Sequence, residues 1–564
     1  MYWRRCGTSG AQPSLHHLVH AARNAPHYAF SHWTPPSPTP SLIFRMGGPA
    51  ATANPDVRSY GHLLDPKPWY KNSRLILLNF WIVILLVTSS TNGYDGSMMN
   101  GLQSLPQWQQ AFNHPTGGAL GLLGAIQNIG SLSALPFAPY IADGLGRRSC
   151  IILGACLMII GTVVQTASQN VHMFIGARWL IGFGLNFAAT GAPMLISEVA
   201  YPSQRGQLTS LYNSLWIFGS FIAAWTTFGT FHIQTSWSWR IPSAIQGFPS
   251  VIQLALIWFV PESPRWLMYK GREAQALKIL AYYHARGNEK DPLVEYEYQE
   301  IKAAIELDRE VAHTVGWLTL FKTRGNLKRV RIIVAIAFFS QWSGNGLASY
   351  YLNKVLDAVG VTDPTIQLLI NGVLQIYNFV ICVFASLWCD KIGRRKLFIT
   401  ATAGMLATWV AETICFAVYS KTGIAAAGHA FIAMIFIFST FYALAYSPLI
   451  VTYAVEILPY NLRSKGFTIF NFTICLSLIF NQYVNPIALQ NIGWKYYTVY
   501  IAWLSFELAF ICRYLVETKN RTLEETAALF DGDDQVALIS NKASDRFTEK
   551  TTEIRVDADE KSSI

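Results

Sequence analysis

The chain has 564 residues, of which 52% are hydrophobic and only 13% charged, whereas a soluble domain carries about 25% charged residues. The charges crowd into short stretches, and the apolar runs between them approach the roughly 20 residues needed to cross a bilayer, which excludes an ordinary soluble fold. The net charge of +10 would suit a nucleic-acid partner, but Lys and Arg gather in short connections between apolar runs, as cytoplasmic loops do, so no nucleic acid is expected.

Residues 1–72 are rich in Pro, Ser, His and Arg and have neither an apolar span nor a signal-peptide core. They are expected to form a disordered N-terminal region. The stretch before Met46 is basic and acid-poor, weakly like a transit sequence, and Met46 is a candidate start. Six spans follow at about 75–100, 118–141, 149–168, 173–194, 207–229 and 243–260, making an N-terminal half over 73–261. A charged connection over 262–328 comes next, with helices expected at 272–286 and 293–309. Six more spans, at about 329–353, 365–388, 397–419, 426–455, 466–488 and 494–515, make a C-terminal half over 329–517, and a polar tail runs over 518–564. An even number of spans puts both termini on one side, and the basic loops make that side the cytoplasm. The eight cysteines show no paired spacing, which argues against a disulfide framework or a zinc site. No phosphate-cradling Gly-x-x-x-x-Gly-Lys-Ser/Thr motif is present. No enzyme activity, ATP-driven pumping, metal or cofactor is therefore expected.

The two halves repeat each other. Asp143-x-x-Gly146-Arg147-Arg148 follows the second span, and Asp390-x-x-Gly393-Arg394-Arg395 follows the eighth. Glu198 precedes Arg205 after the fourth span, and Glu456 precedes Arg463 after the tenth, both pairs offset by 258 residues (456 − 198 and 463 − 205). Parallel six-span repeats are one way that transporters build a central substrate site. The repeated charges Asp143, Arg147, Glu198, Arg205, Asp390, Arg394, Glu456 and Arg463 are expected to gate transport by tying helix ends across the inner face while the cavity opens outward. The plainer alternative is that they only fix topology.

Three further segments carry a family likeness: Pro193-x-x-x-x-Glu198-x-x-x-Pro202-x-x-Arg205-Gly206, Pro261-Glu262-Ser263-Pro264-Arg265-Trp266-Leu267, and Val516-Glu517-Thr518-Lys519 running on to Glu525. Together with the repeat, they resemble the sugar porter family of the major facilitator superfamily over about 75–526. Segments 92–101 (NGYDGSMMNG), 341–352 (QWSGNGLASYYL), 455–466 (VEILPYNLRSKG) and 481–489 (NQYVNPIAL) are similar to its fungal lactose permease and disaccharide branch. The resemblance implies an all-α polytopic membrane protein with the major facilitator fold, twelve transmembrane helices in two six-helix pseudo-repeats, acting as a monomer.

Asp95, in the first span, is expected to face a cavity or a partner, because a carboxylate at that depth costs about 2.5–3.5 kcal/mol on insertion scales. Arg178, in the glycine-rich fourth span, is the natural partner. Loss of water favours a neutral carboxyl, whereas a neighbouring guanidinium favours the charged one, so separating and reforming the pair could take up and release a proton. The resemblance agrees, since proton-coupled sugar porters carry an acid and an arginine at these positions; the alternative is a purely structural ion pair. For the sugar, neutral polar side chains inside apolar spans are the candidates: Asn213, Gln341, Asn378, Asn481, Gln482 and Asn485, with Tyr350, Tyr442 and Tyr446 offering ring faces. The resemblance implies binding roles for Gln341 and Asn378 and puts Asn213 where the family usually has glutamine. Each could instead merely join helices. Ser340, Gly346 and Val451 replace bulkier or more polar residues of the hexose pattern, leaving room that suits a disaccharide or a reoriented hexose. The expected function is therefore proton-coupled import of lactose or a related disaccharide, with sugar, proton and lipid bilayer as partners, in the plasma membrane. The alternatives are a hexose transporter, by symport or facilitated diffusion, and a sugar receptor that does not transport.

Overall fold

The computed structural model describes residues 69–314, 317–447, 449–458, 462–518 and 529–530. The expected N-terminal region up to 68 and most of the polar tail lie outside them. Among the described residues the regular structure is helical throughout. Eight helices are long and apolar enough to cross a membrane, and the last of these, Lys465–Tyr514, holds two spans divided at Gly493. The second span is a bent pair, Gly117–Ala134 and Ala138–Leu145, at 47°. The fifth is Arg205–Thr230, whose apolar part is Leu215–Thr230. The seventh begins with Arg324–Trp342, whose basic first turns lower its hydropathy. That completes twelve spans, consistent with the major facilitator fold.

The first, third and fourth spans are Ser73–Leu102, Arg147–Thr166 and Val171–Val199. The sixth is Trp237–Ile245 followed by Phe248–Leu256. The seventh continues past its break as Asn345–Tyr350 and Leu352–Ala358, and the eighth and ninth are Pro364–Ile392 and Arg394–Thr422. The tenth is Ala425–Ala445 followed by Ile450–Ile457; the eleventh and twelfth are Arg463–Ile492 and Tyr496–Tyr514. Between the halves, Glu273–His284 and Pro292–Thr314 form the helices expected in the charged connection. His284 joins them, with Nδ1 at 2.6 Å from Glu297 and Nε2 at 3.2 Å from the Val199 carbonyl.

Glycines set the closest crossings. A Cβ on Gly93 would lie 1.8 Å from the Trp216 carbonyl oxygen, and one on Gly219 would lie 1.9 Å from that of Ser90, so the first and fifth spans meet backbone to backbone. Gly182 against Gln127 and Gly130 against Trp179 do the same for the second and fourth spans. Without a hydrophobic drive between helices in lipid, such small-residue contacts let packing hold the bundle. Gly176, by contrast, faces open space.

The halves meet at the end remote from the Gly-Arg-Arg motifs. Asn128 Nδ2 donates to Gln482 Oε1 (2.9 Å), joining the second and eleventh spans, where Gly121 lies against the Tyr483 backbone. Asn100 donates to Asn371 (3.2 Å) and accepts from the Leu352 N–H (3.1 Å), while Gln103 donates to the Tyr350 carbonyl (3.0 Å). Gly372 of the eighth span seats the Trp225 indole of the fifth.

Candidate functional site: a buried ion pair and the polar groups around it

Asp95 and Arg178 are in contact. Arg178 Nη1 lies 3.2 Å from Asp95 Oδ1, and the side chains are only 2% and 1% exposed. The guanidinium spends its fork on three partners from two helices: Nε donates to the Leu123 carbonyl (3.0 Å) and Nη2 to Gln127 Oε1 (3.0 Å) on the second span, and Nη1 donates to Asp95 on the first. On either side of the pair, Gly93 packs the first span onto the fifth and Gly182 packs the fourth span onto the second. Asp95 Oδ2 is buried and makes no hydrogen bond within 3.5 Å, and the Gln246 amide is the polar side chain that approaches the carboxyl group. The pair thus presents one engaged oxygen and one open oxygen, the second being a position where a proton can sit.

At the Gly-Arg-Arg end the repeat is visible atom by atom. Arg147 bridges Glu198 (3.1 Å) and Asp143 (3.2 Å), and Arg394 holds Glu456 (3.1 Å). Each of these pairs lies within one half. The expected ties across the inner face belong to the state in which the cavity opens outward, whereas here the halves meet at the opposite end. The side chains of Asp390 and Arg463 lie outside the described residues; Arg205 is described and has a partner. The two signature glutamates have a role that the sequence did not suggest. Glu262 accepts from the backbone N–H groups of Arg147 and Arg148 (3.2 Å each), and Glu517 from those of Arg394 and Arg395 (2.9 and 3.1 Å). Each caps the N-terminus of a span, where free N–H groups and the helix dipole favour an anion. Gly146 and Gly393 precede these caps at φ +104° and +106°, and a Cβ on either would fall within 3 Å of the glutamate oxygen. Burial pushes the Glu262 carboxyl up from its ordinary range, and its backbone donors oppose that shift.

The candidate sugar residues divide. Asn485 is saturated inside the protein: it donates to Asn481 and accepts from the hydroxyls of Tyr496 (2.8 Å) and Tyr500 (2.7 Å). Asn481 donates to the Gln341 carbonyl, joining the eleventh and seventh spans. Gln482 takes Asn128 across the halves, and its own carbonyl accepts from Tyr351. Tyr442 and Tyr446 are likewise engaged, Tyr442 donating to the Ser340 carbonyl (2.7 Å) and Tyr446 to Glu507. Gln341 is half-buried and donates only to its neighbour Ser340 (3.1 Å), and Tyr350 is half-buried. Asn378 Oδ1 is buried with no donor. The Asn213 side chain lies outside the described residues. The room expected at Gly346 is already filled, since a Cβ there would lie 2.3 Å from the Asn481 amide. Ser340 is buried and donates to the Ala337 carbonyl.

Sequence reasoning passed over two buried acids, Glu412 in the ninth span and Glu507 in the twelfth. Their signal was available, since an ionisable residue inside an apolar span is a functional candidate by default. Glu412 faces a small cavity with Gly344, Trp409 and Tyr497. Asn186 Nδ2 and Trp225 Nε1, on the fourth and fifth spans, are buried without partners like Asn378 Oδ1.

Residues 81–530 match the family described as Sugar (and other) transporter. The chain is 29% identical over 462 residues to the MFS-type transporter oryC of Aspergillus oryzae, covering 79% of this chain and 84% of that protein. It is 27% identical over 478 residues to a high-affinity glucose transporter of Kluyveromyces lactis, with the same coverages. It is 28% identical over 428 residues to the hexose transporter HXT10 of Saccharomyces cerevisiae, covering 73% of this chain and 76% of that one. Among solved structures, the inward-open xylose transporter XylE of E. coli superposes with a TM-score of 0.66 at 24% identity, covering 80% of this chain and 99% of that one.

Proposed function

Because the chain belongs to the sugar (and other) transporter family, and is a membrane sugar transporter of the major facilitator fold, we propose that it imports sugar together with a proton by alternating access. The observation that carries this reading is the sealed Asp95–Arg178 pair with one carboxylate oxygen left open. A proton arriving at Oδ2 neutralises Asp95 and weakens its hold on Arg178. The first and fourth spans are then free to rearrange with sugar bound. Reforming the pair on the other side expels the proton and resets the carrier. The repeated charge clusters would bias the exchange by holding helix ends together within each half.

The positive-inside rule puts the Gly-Arg-Arg ends and both termini in the cytoplasm of a plasma-membrane protein. On that orientation the end where the halves meet faces outward, and the sugar path opens inward. Gln341, Tyr350 and Asn378 are the proposed sugar contacts, Asn378 because its buried oxygen lacks a partner; Asn213 is proposed on its position alone. Asn481, Gln482 and Asn485 would act by shaping the seventh and eleventh spans.

Two cargo readings have support. The lactose-permease-like segments favour lactose or a related disaccharide. The glucose and hexose transporters among the relatives favour a hexose, and so does the filling of the Gly346 space by Asn481. Uptake in a host stripped of sugar transporters, comparing lactose, cellobiose and glucose with and without an uncoupler, tests both parts. Accumulation above the outside concentration that collapses with the uncoupler is expected. Uncoupler-insensitive uptake that only equilibrates rejects symport, and uptake of glucose alone rejects the disaccharide.

A further inference from the structure

The seventh and tenth spans are both broken in mid-course, the seventh at 343–344 and the tenth between the helices that end at Ala445 and begin at Ile450. Gly344 makes the first break possible by adopting φ +96°, and its Cα lies against the Trp409 ring with no room for a Cβ. Interrupted spans are where membrane helices can bend, and they survive only where protein surrounds the freed backbone. Each break is held by a specific partner, and one residue is common to both. Glu507, fully buried on the twelfth span, is hydrogen-bonded to Ser343 Oγ (2.8 Å) at the first break, a hydroxyl that it shares with the Phe339 carbonyl, and accepts from the Tyr446 hydroxyl at the second. Tyr446 is also 2.8 Å from Thr402 Oγ1 on the ninth span. It stacks on Tyr442, with ring centroids 5.7 Å apart and planes 10° apart. Tyr442 returns to the seventh span, donating to the Ser340 carbonyl and accepting from Asn345 Nδ2 (3.1 Å). The contacts close into a circuit: Ser343, Glu507, Tyr446, Tyr442, Asn345.

A carboxyl group in the middle of a bundle is costly, and apolar residues fill such a place more cheaply. A structural filler would not need its two oxygens directed at two separate helix breaks. We propose that Glu507 is a positioning residue for transport, coupling the breaks of the seventh and tenth spans so that the segments beyond them move together. Its hydrogen bonds go to none of the proposed sugar contacts and not to the Asp95–Arg178 pair, and it acts through the helices it ties.

The proposal rests on the transport reading above, and its test has one arm that needs no sugar. Glu507→Gln, Ser343→Ala and Tyr446→Phe are made in the full chain and reconstituted in vesicles, with glucose and lactose as probes. Each substitution should lower the maximal rate per molecule about fivefold, the equivalent of one hydrogen bond, while KM stays within about twofold. Because the three act in one circuit, Ser343→Ala or Tyr446→Phe added to Glu507→Gln should cost nothing more. In the sugar-free arm, hydrogen exchange is followed over 343–350 and 446–450. Glu507→Gln should raise both segments together and leave the rest of the second half unchanged. Effects that multiply, a KM change without a rate change, faster exchange at one break only, or faster exchange throughout the half each overturn the coupling. If the parent protein moves neither probe, the transport reading fails, and the exchange measurement still decides the circuit.

Discussion

At the residue scale, what matters is which polar atoms are already spent. Arg178 uses all three nitrogens of its fork, whereas Asp95 keeps one oxygen open. Replacing Asp95 with Asn removes the exchangeable proton but keeps the shape. Each proton falling through 100 mV supplies about 2.3 kcal/mol, roughly a fifty-fold gradient. Asp95→Asn should therefore lose uphill accumulation while retaining sugar exchange across vesicles at equal concentrations, read by counterflow. Uphill uptake by Asp95→Asn from an acidified medium would refute the coupling. Arg178→Lys keeps the charge but cannot reach Leu123, Gln127 and Asp95 at once. The ion pair was legible in the sequence because a charge in an apolar helix must find a partner. The fate of Asn485 was not, because only its neighbours decide whether an amide faces sugar or two tyrosines.

At the scale of elements, the spans and the two connecting helices followed from apolar run length and from the punctuation between them. The crossings between them did not. The fourth span carries several glycines with the same local chemistry, yet Gly182 meets the Gln127 carbonyl while Gly176 meets nothing. Gly182→Ala should lower the thermal midpoint of the detergent-solubilised protein, by overpacking worth about 1–3 kcal/mol. Gly176→Ala should leave it unchanged. Equal effects at the two positions would contradict the packing described. The signature glutamates Glu262 and Glu517 teach the same point: each is remote in sequence from the helix end that it caps.

For the whole molecule, the contacts described between the halves lie at one end, through the second and eleventh, first and seventh, first and eighth, and fifth and eighth spans. Alternating access requires that end to part. Gly118 sits close to Ile487 across this seam, a Cβ on Gly118 lying 3.9 Å from the Ile487 side chain. A Gly118→Cys, Ile487→Cys pair, bridged by a short thiol cross-linker with a reducible arm, should stop transport, and reductant should restore it. Continued transport by cross-linked protein would show that the seam does not open. The sequence by itself determined the membrane class, the twelve spans, the duplicated charge motifs and the Asp95–Arg178 partnership, because hydropathy and the cost of a charge in lipid act locally along each helix. Only the tertiary structure decided which end is closed, that Arg147 and Arg394 bind glutamates of their own halves, that Asn481 fills the space beside Gly346, and that Glu507 meets two broken helices. Those depend on which surfaces face each other, and a helix of given sequence can present its polar groups to sugar, to water or to another helix.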